Sequence, residues 1–163
     1  MIAVTDYTTY ADIRAVLGVD SLELPDATLG SAVFASALQR IVRSYTDDAG
    51  KTLAAHYDEI DPESMTVDEE TLYYAIREYT TYIVAEACCS GLSLFAMKAE
   101  SDGKSSRARF SSEATFKDVV KSIREKLAAL SGVLDMLLNG TDTGYSVTSI
   151  YAIEPTTDRV TDE

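Results

Sequence analysis

The chain has 163 residues, 46% of them hydrophobic, with only three prolines and eight glycines. That is one domain's worth of sequence with enough apolar side chains for a core, which excludes a disordered or fibrous protein. Its formal net charge of −13 excludes affinity of the whole molecule for a nucleic-acid backbone, because repulsion opposes the contact.

The predicted elements are mostly helical. Thr9, with Asp12 three residues on, caps a short helix over Tyr10 to Leu17, and Gly18 ends it. Pro25 reads as the first helical position of a second helix, with Asp26 in its first turn. Leu29, Val33, Phe34, Leu38, Ile41, Val42 and Tyr45 give that helix one apolar face; the stretch 47–50 ends it. Residues 51–66 are ambiguous. Leu53, Ala54, Ala55 and Tyr57 suit a short helix, which Asp61-Pro62 would stop.

Thr66 and Glu69 repeat the capping-box spacing and open a long helix over about 67–98. Leu72, Ile76, Tyr79, Ile83 and Ala87 form its main stripe. Tyr82, Ala85, Cys88, Cys89 and Leu92 add apolar surface on other sides, the pattern of a helix central in a bundle. A polar loop with Asp102-Gly103 follows. The last helix starts near Ser112 or Thr115, and its apolar positions Phe116, Val120, Ile123, Leu127, Leu130, Leu134 and Leu137 step by four and three in an a/d seam. Asn139-Gly140 is a helix stop. Residues 145–153 are rich in β-branched and aromatic types and predict one extended segment, with no hairpin partner nearby. The expectation is an all-α protein: a helical bundle of about four helices over 1–140 and an extended C-terminal arm over 141–163.

Catalytic patterns do not assemble. His56 is the sole histidine, so one chain offers no two-histidine metal site, and flanking carboxylates suit a solvated or structural ring better than a general base. Gly103-Lys104-Ser105 mimics the end of a phosphate-binding loop, but Lys98 stands where its first glycine belongs and a helix precedes it. Gly91-Leu92-Ser93 continues to Phe95 rather than to the glycine of a nucleophile elbow. Met65 occupies a ligand position of the would-be calcium loop at Asp61. Asp47-Asp48 and Asp68-Glu69-Glu70 read as a helix end and an acidic first turn. The reading is a non-enzyme with no cofactor and no metal. Cys88 and Cys89 point about 100° apart on a helix and cannot easily bridge each other, so they read as free thiols in a reducing compartment. No signal-like or membrane-spanning run is present in the sequence.

Charge and tyrosine content point instead to contacts. Residues 1–70 carry 14 acids against 4 bases, residues 71–138 carry 8 against 9, and residues 139–163 carry 5 against 1. Eight bases lie within residues 98–126: Lys98, Lys104, Arg107, Arg109, Lys117, Lys121, Arg124 and Lys126. They read either as a solvated helix face and loop, or as a contact with an acidic surface such as DNA or the acidic half of another copy. Of these, Lys104, Arg107 and Arg109 are the candidate inter-subunit or DNA-contact residues. A chain with oppositely charged faces suits head-to-tail association, which closes into rings. The ten tyrosines supply either core packing or interface area.

The order of these features resembles the head-to-tail connector proteins of tailed bacteriophages, also called adaptor or head-completion proteins. The residues that carry the resemblance are Tyr10-Ala11-Asp12-Ile13-Arg14-Ala15-Val16-Leu17-Gly18-Val19, then Leu24-Pro25-Asp26-Ala27-Thr28-Leu29, the alanine-rich long helix, Ser101-Asp102-Gly103-Lys104 and the final helix. The similarity spans about residues 7–138. It implies a structural virion protein assembled in the bacterial host cytoplasm: a ring of copies of the chain, usually dodecameric, at the head–tail junction. Such a ring binds the portal protein, receives the next neck or tail protein, and passes DNA through its channel without sequence-specific binding; it has no membrane partner. An acidic lumen would keep phosphates from sticking. The arm's Tyr145, Val147, Ile150, Tyr151 and Ile153 are candidates for docking on the portal or a neighbour, with folding back on the arm's own bundle as the alternative. Two other classes stand beside this reading: a helical protein-binding module outside any virion, and an acidic DNA mimic.

Overall fold

The computed structural model describes residues 2–91, 100–101, 106–107 and 113–140, with side chains for 2–90 and 117–140. Six α-helices occur among them: α1 (Tyr10–Leu17), α2 (Asp26–Leu29), α3 (Ala32–Ser44), α4 (Leu53–Glu59), α5 (Val67–Gly91) and α6 (Glu113–Asn139). A 3₁₀ turn at Val4–Asp6 precedes them, and two-residue strands β1 (Glu100–Ser101) and β2 (Ser106–Arg107) pair antiparallel between α5 and α6. The fold is all-α.

Helix ends follow local chemistry. Thr9 Oγ1 accepts the Asp12 N–H at 3.1 Å, starting α1. Gly18 closes it in the left-handed region at φ 64°, and the N–H groups of Gly18 and Val19 return to the carbonyls of Ala15 and Arg14. This is a Schellman stop, which favours glycine because a Cβ is strained there. Thr66 and Glu69 exchange backbone-to-side-chain hydrogen bonds at 2.8 and 3.3 Å, a reciprocal capping box on α5. Gly140 ends α6 at φ 56°, as Asn139-Gly140 predicts.

The second predicted helix divides in two. Gly30 donates to the Asp26 carbonyl and ends α2, and Ser31, with extended backbone, becomes the N-cap of α3. Pro25 is correspondingly the N-cap of α2 rather than its first helical residue. The break turns the predicted apolar face: Leu29, Phe34, Leu38 and Val42 are buried, while Val33 is 71% exposed. The ambiguous stretch yields α4, capped by Thr52 and finished before Asp61-Pro62. The long helix is described to Gly91.

Helix α5 is the hub, packed against α1, α3, α4 and α6. Ile76, Val84, Ala85 and Cys88 are fully buried on it, on more than one side, as its all-round apolar pattern predicts. The α6 seam faces inward: Ile123, Leu130 and Leu134 are buried, and Val120, Leu127 and Leu137 are half-buried. Two hydroxyl-bearing positions of α5 sit inside this core. Thr80 donates back to the Ile76 carbonyl (2.9 Å) and Thr81 to that of Arg77 (2.7 Å). Thr81 Oγ1 thereby has a lone pair left for Thr8 Oγ1, 2.5 Å away on the segment before α1.

Candidate functional site

The sequence directs attention to the basic stretch and the arm. Lys104 and Arg109 lie outside the described residues, as do Tyr145, Val147, Ile150, Tyr151 and Ile153. Arg107 falls in β2, in register with Glu100 of β1.

Lys98 also lies outside the described residues, and Lys117, Lys121, Arg124 and Lys126 lie on α6, away from the seam that turns its apolar residues toward α5. They are not all available to a partner. Arg124 Nε donates to Glu86 Oε1 at 2.8 Å, and Lys126 Nζ lies 3.0 Å from Glu78 Oε1. These two pairs latch α6 onto α5; at such exposure each contributes about 0.2–1 kcal/mol. Lys121 and Glu125 pair at 3.7 Å along the helix. Between these groups lies a shallow groove lined by Lys117, Val120, Lys121, Arg124, Glu125 and Ala128. Its floor is aliphatic and its rim carries three cations and one carboxylate.

A second groove runs between α1 and α5, where Arg77 reaches Asp12 (4.0 Å) and Val16 lies beside Tyr74 and Tyr82. Behind it, Tyr7, Tyr57, Tyr73 and Tyr74 form a row with successive ring centroids 4.6, 5.0 and 5.6 Å apart. The Arg77 guanidinium stands 5.7 Å from the Tyr73 centroid. Burial, and then a hydrogen bond to Tyr73, push the Tyr57 phenol up; the same bond holds Tyr73 below its ordinary value. Tyr7 is buried, Tyr57 and Tyr73 are half-buried, and Tyr74, at 54% exposure, is the most exposed ring of the row.

Groups that could carry chemistry have structural roles. His56 Nε2 is 2.9 Å from Asp47 Oδ2, closing the turn between α3 and α4. Burial pushes the Cys88 thiol up to about 12 and the Cys89 thiol to about 11, with Glu86 reinforcing the latter. Both thiols stay protonated near neutrality and are poor nucleophiles. Among the described residues no group of three His, Cys, Asp or Glu side chains is placed to hold a metal ion, and no helix is long and apolar enough to cross a membrane.

One surface feature has little sequence signature. The loop joining α1 to α2 exposes Leu22 to 90%, yet it is held firmly. Asp20 Oδ1 accepts the N–H groups of Leu22 and Glu23 at 2.8 and 2.9 Å, and Glu23 Oε2 accepts the Asp20 N–H at 3.1 Å. Arg14 Nε donates to the Leu24 carbonyl at 2.8 Å, and its guanidinium pairs with Asp26. Leu24 is buried, fixing the loop's far end. Asp20 and Glu23, spaced three apart just after Gly18, are the only pattern that marks such a turn. Comparison with protein-family models, with curated proteins and with solved structures finds no match for this chain.

Proposed function

We propose that this chain is a structural protein of a tailed-phage virion. It forms a ring between the portal and the neck or tail, extends the DNA channel and serves as a platform for the next component. The observation that carries the reading is the order of features over residues 7–138: a short capped helix ended by Gly18-Val19, the Leu24-Pro25-Asp26 turn, a long central helix, the polar Asp102-Gly103 stretch and a final helix. The helical fold, with α1, α2, α5 and α6 in that order, accords with it. So does the uneven charge, with acids concentrated in residues 1–70.

Negative-stain imaging tests the reading, first of the purified chain and then of the chain mixed with portal. Rings, alone or on the portal, are the expected result; a chain that stays apart from portal particles overturns it. Reversing Lys104, Arg107 and Arg109 to glutamate should block ring closure while the monomer stays folded. Deleting residues 141–163 should abolish association while leaving helical content and melting temperature unchanged, since Tyr145, Val147, Ile150, Tyr151 and Ile153 are assigned to docking. A monomer that instead inhibits a DNA-binding enzyme without its tail would identify an acidic DNA mimic.

A further inference from the structure

Helix α3 is the only helix among the described residues that holds no acid, and it carries Arg40 and Arg43. Both arginines are exposed, and a spacing of three sets them on one face. Among the described residues neither makes a hydrogen bond or an ion pair; Arg43 acts only through space, on the Tyr7 phenol. The other bases with described side chains are engaged. Arg14 and Lys51 pair with Asp26 and Glu59, Arg77 reaches Asp12, and the bases of α6 have partners of their own. In a chain of net charge −13, α3 thus presents two guanidiniums that nothing described neutralises.

An acidic segment begins its course beside this face. The Asp48 N–H donates to Asn139 Oδ1 at 2.7 Å, and the Tyr45 hydroxyl lies 2.5 Å from Asp135 Oδ1. The chain therefore passes Gly140 next to the turn that follows α3, and Arg40 and Arg43 lie five and two residues before Tyr45. Beyond Gly140, residues 143–153 are uncharged, and residues 154–163 hold Glu154, Asp158, Asp162 and Glu163 against Arg159 alone. We infer that the acidic segment 154–163 docks on Arg40 and Arg43 of its own copy, latching the arm to the outer face of α3. From Gly140 to Asp158 an extended chain spans up to about 60 Å, against about 20 Å for the whole of α3, so reach is no obstacle. The tether also gives the segment a high effective concentration that no separate anion has. A nucleic-acid backbone would meet the repulsion of the whole chain instead. The latch uses the acids and leaves the uncharged residues 143–153 for a partner, and it stands whether or not the chain forms rings.

The test uses the full chain carrying Arg40→Lys and Arg43→Lys, which keep both charges and supply amines. A water-soluble carbodiimide joins an amine to a carboxylate in contact with it, with loss of water. An equal mixture of unlabelled and heavy-nitrogen chains is cross-linked at low and at high salt, and the linked peptides are mapped by mass spectrometry, with circular dichroism melting as the folding control. The expected links run from position 40 or 43 to Asp158, Asp162 or Glu163. They should fall about fivefold or more at high salt and join light to light and heavy to heavy chains only. Links that mix light and heavy chains place the contact between copies and overturn the latch. Links from these positions to other carboxylates alone overturn it as well. No links at all also overturn it, and if Arg40→Gln with Arg43→Gln then abolishes binding of duplex DNA at low salt, the face belongs to nucleic acid. Imaging with portal judges the ring reading separately.

Discussion

Tyr45, the residue after α3, places its hydroxyl 2.5 Å from Asp135 Oδ1 and 3.1 Å from the Ser131 carbonyl, tying the start of the α3–α4 turn to α6 across 90 positions of sequence. The carboxylate is the stronger acceptor, so the phenol donates chiefly to Asp135. Removing the hydroxyl leaves an exposed carboxylate that water can satisfy. Tyr45→Phe should therefore cost only about 1 kcal/mol in urea denaturation. A loss above about 3 kcal/mol would mean that the ring's position, not its hydroxyl, depends on this bond.

The same phenol predicts an alkaline limit. Burial first, and the Asp135 hydrogen bond second, push Tyr45 up to about 12 from an ordinary value of 10.0. Burial also raises Tyr7, Tyr57 and Tyr79. A raised value means that the folded state holds the proton more tightly. The stabilisation is complete below pH 10 and is lost as pH rises through the folded values. Melting temperature should fall steeply above pH 10, less so in Tyr45→Phe. A flat profile to pH 12 would refute this assignment.

Acid acts in the opposite sense on Asp47. The Lys51 N–H and then His56 hydrogen-bond its carboxylate and hold it below the usual 3.8. Its stabilisation is present above that usual value and is lost as pH falls through the lower folded one. Asp47→Asn should lower stability at neutral pH and flatten the fall in melting temperature below pH 4. If the variant and wild type have parallel acid limbs, the turn draws nothing from this charge.

The buried threonine pair predicts non-additivity. Thr81→Val keeps the shape of the side chain but strands the Thr8 hydroxyl, which is 2% exposed, and should cost about 1–3 kcal/mol. Replacing both threonines by valine removes the orphan, so the double variant should be less destabilised than the sum of the singles. Strict additivity in denaturant melts would argue that the two hydroxyls do not meet.

Along the α6 seam, burial sets the scale. Leu134, fully buried, should lose about 2–5 kcal/mol on truncation to alanine. Leu127 is half-buried against the core, and Leu127→Asp should cost about 2–3 kcal/mol by setting a charge beside it. Unchanged thermal stability of both variants would place the seam in solvent.

These elements differ in how readable they were. Helix α1 with its Thr9 cap, the Thr66–Glu69 capping box and the Gly18 and Gly140 stops depend on residues three to five apart, and short-range patterns carry them. The α6 seam is equally plain, because one repeated face meets one partner. Val33 was misleading: a stripe assumes an unbroken helix, and the Gly30-Ser31 break resets the rotation. The Thr8–Thr81 contact is 73 positions long in sequence, and nothing local distinguishes a threonine that bonds across a core from one that caps a turn. The α6 groove was legible only in part. Its bases stood out, but their division between intramolecular latches and an outward rim depends on Glu78 and Glu86, whose facing is set by tertiary packing. The Leu22 loop shows how an ordered, exposed leucine escapes a periodicity reading altogether.

The Asp48 N–H donates to Asn139 Oδ1 at 2.7 Å, one residue before Gly140. Together with Tyr45 and Asp135, this bond clamps the last turn of α6 to the α3–α4 turn. Any tension applied to the chain beyond Gly140 therefore does not simply peel α6 open from its end. It is shared with α3 and α4 through bonds that must break before the helix can fray. Weakening the clamp with Asn139→Ala should lower the force at which single-molecule pulling on the C-terminus first extends the chain, with little change in thermal stability.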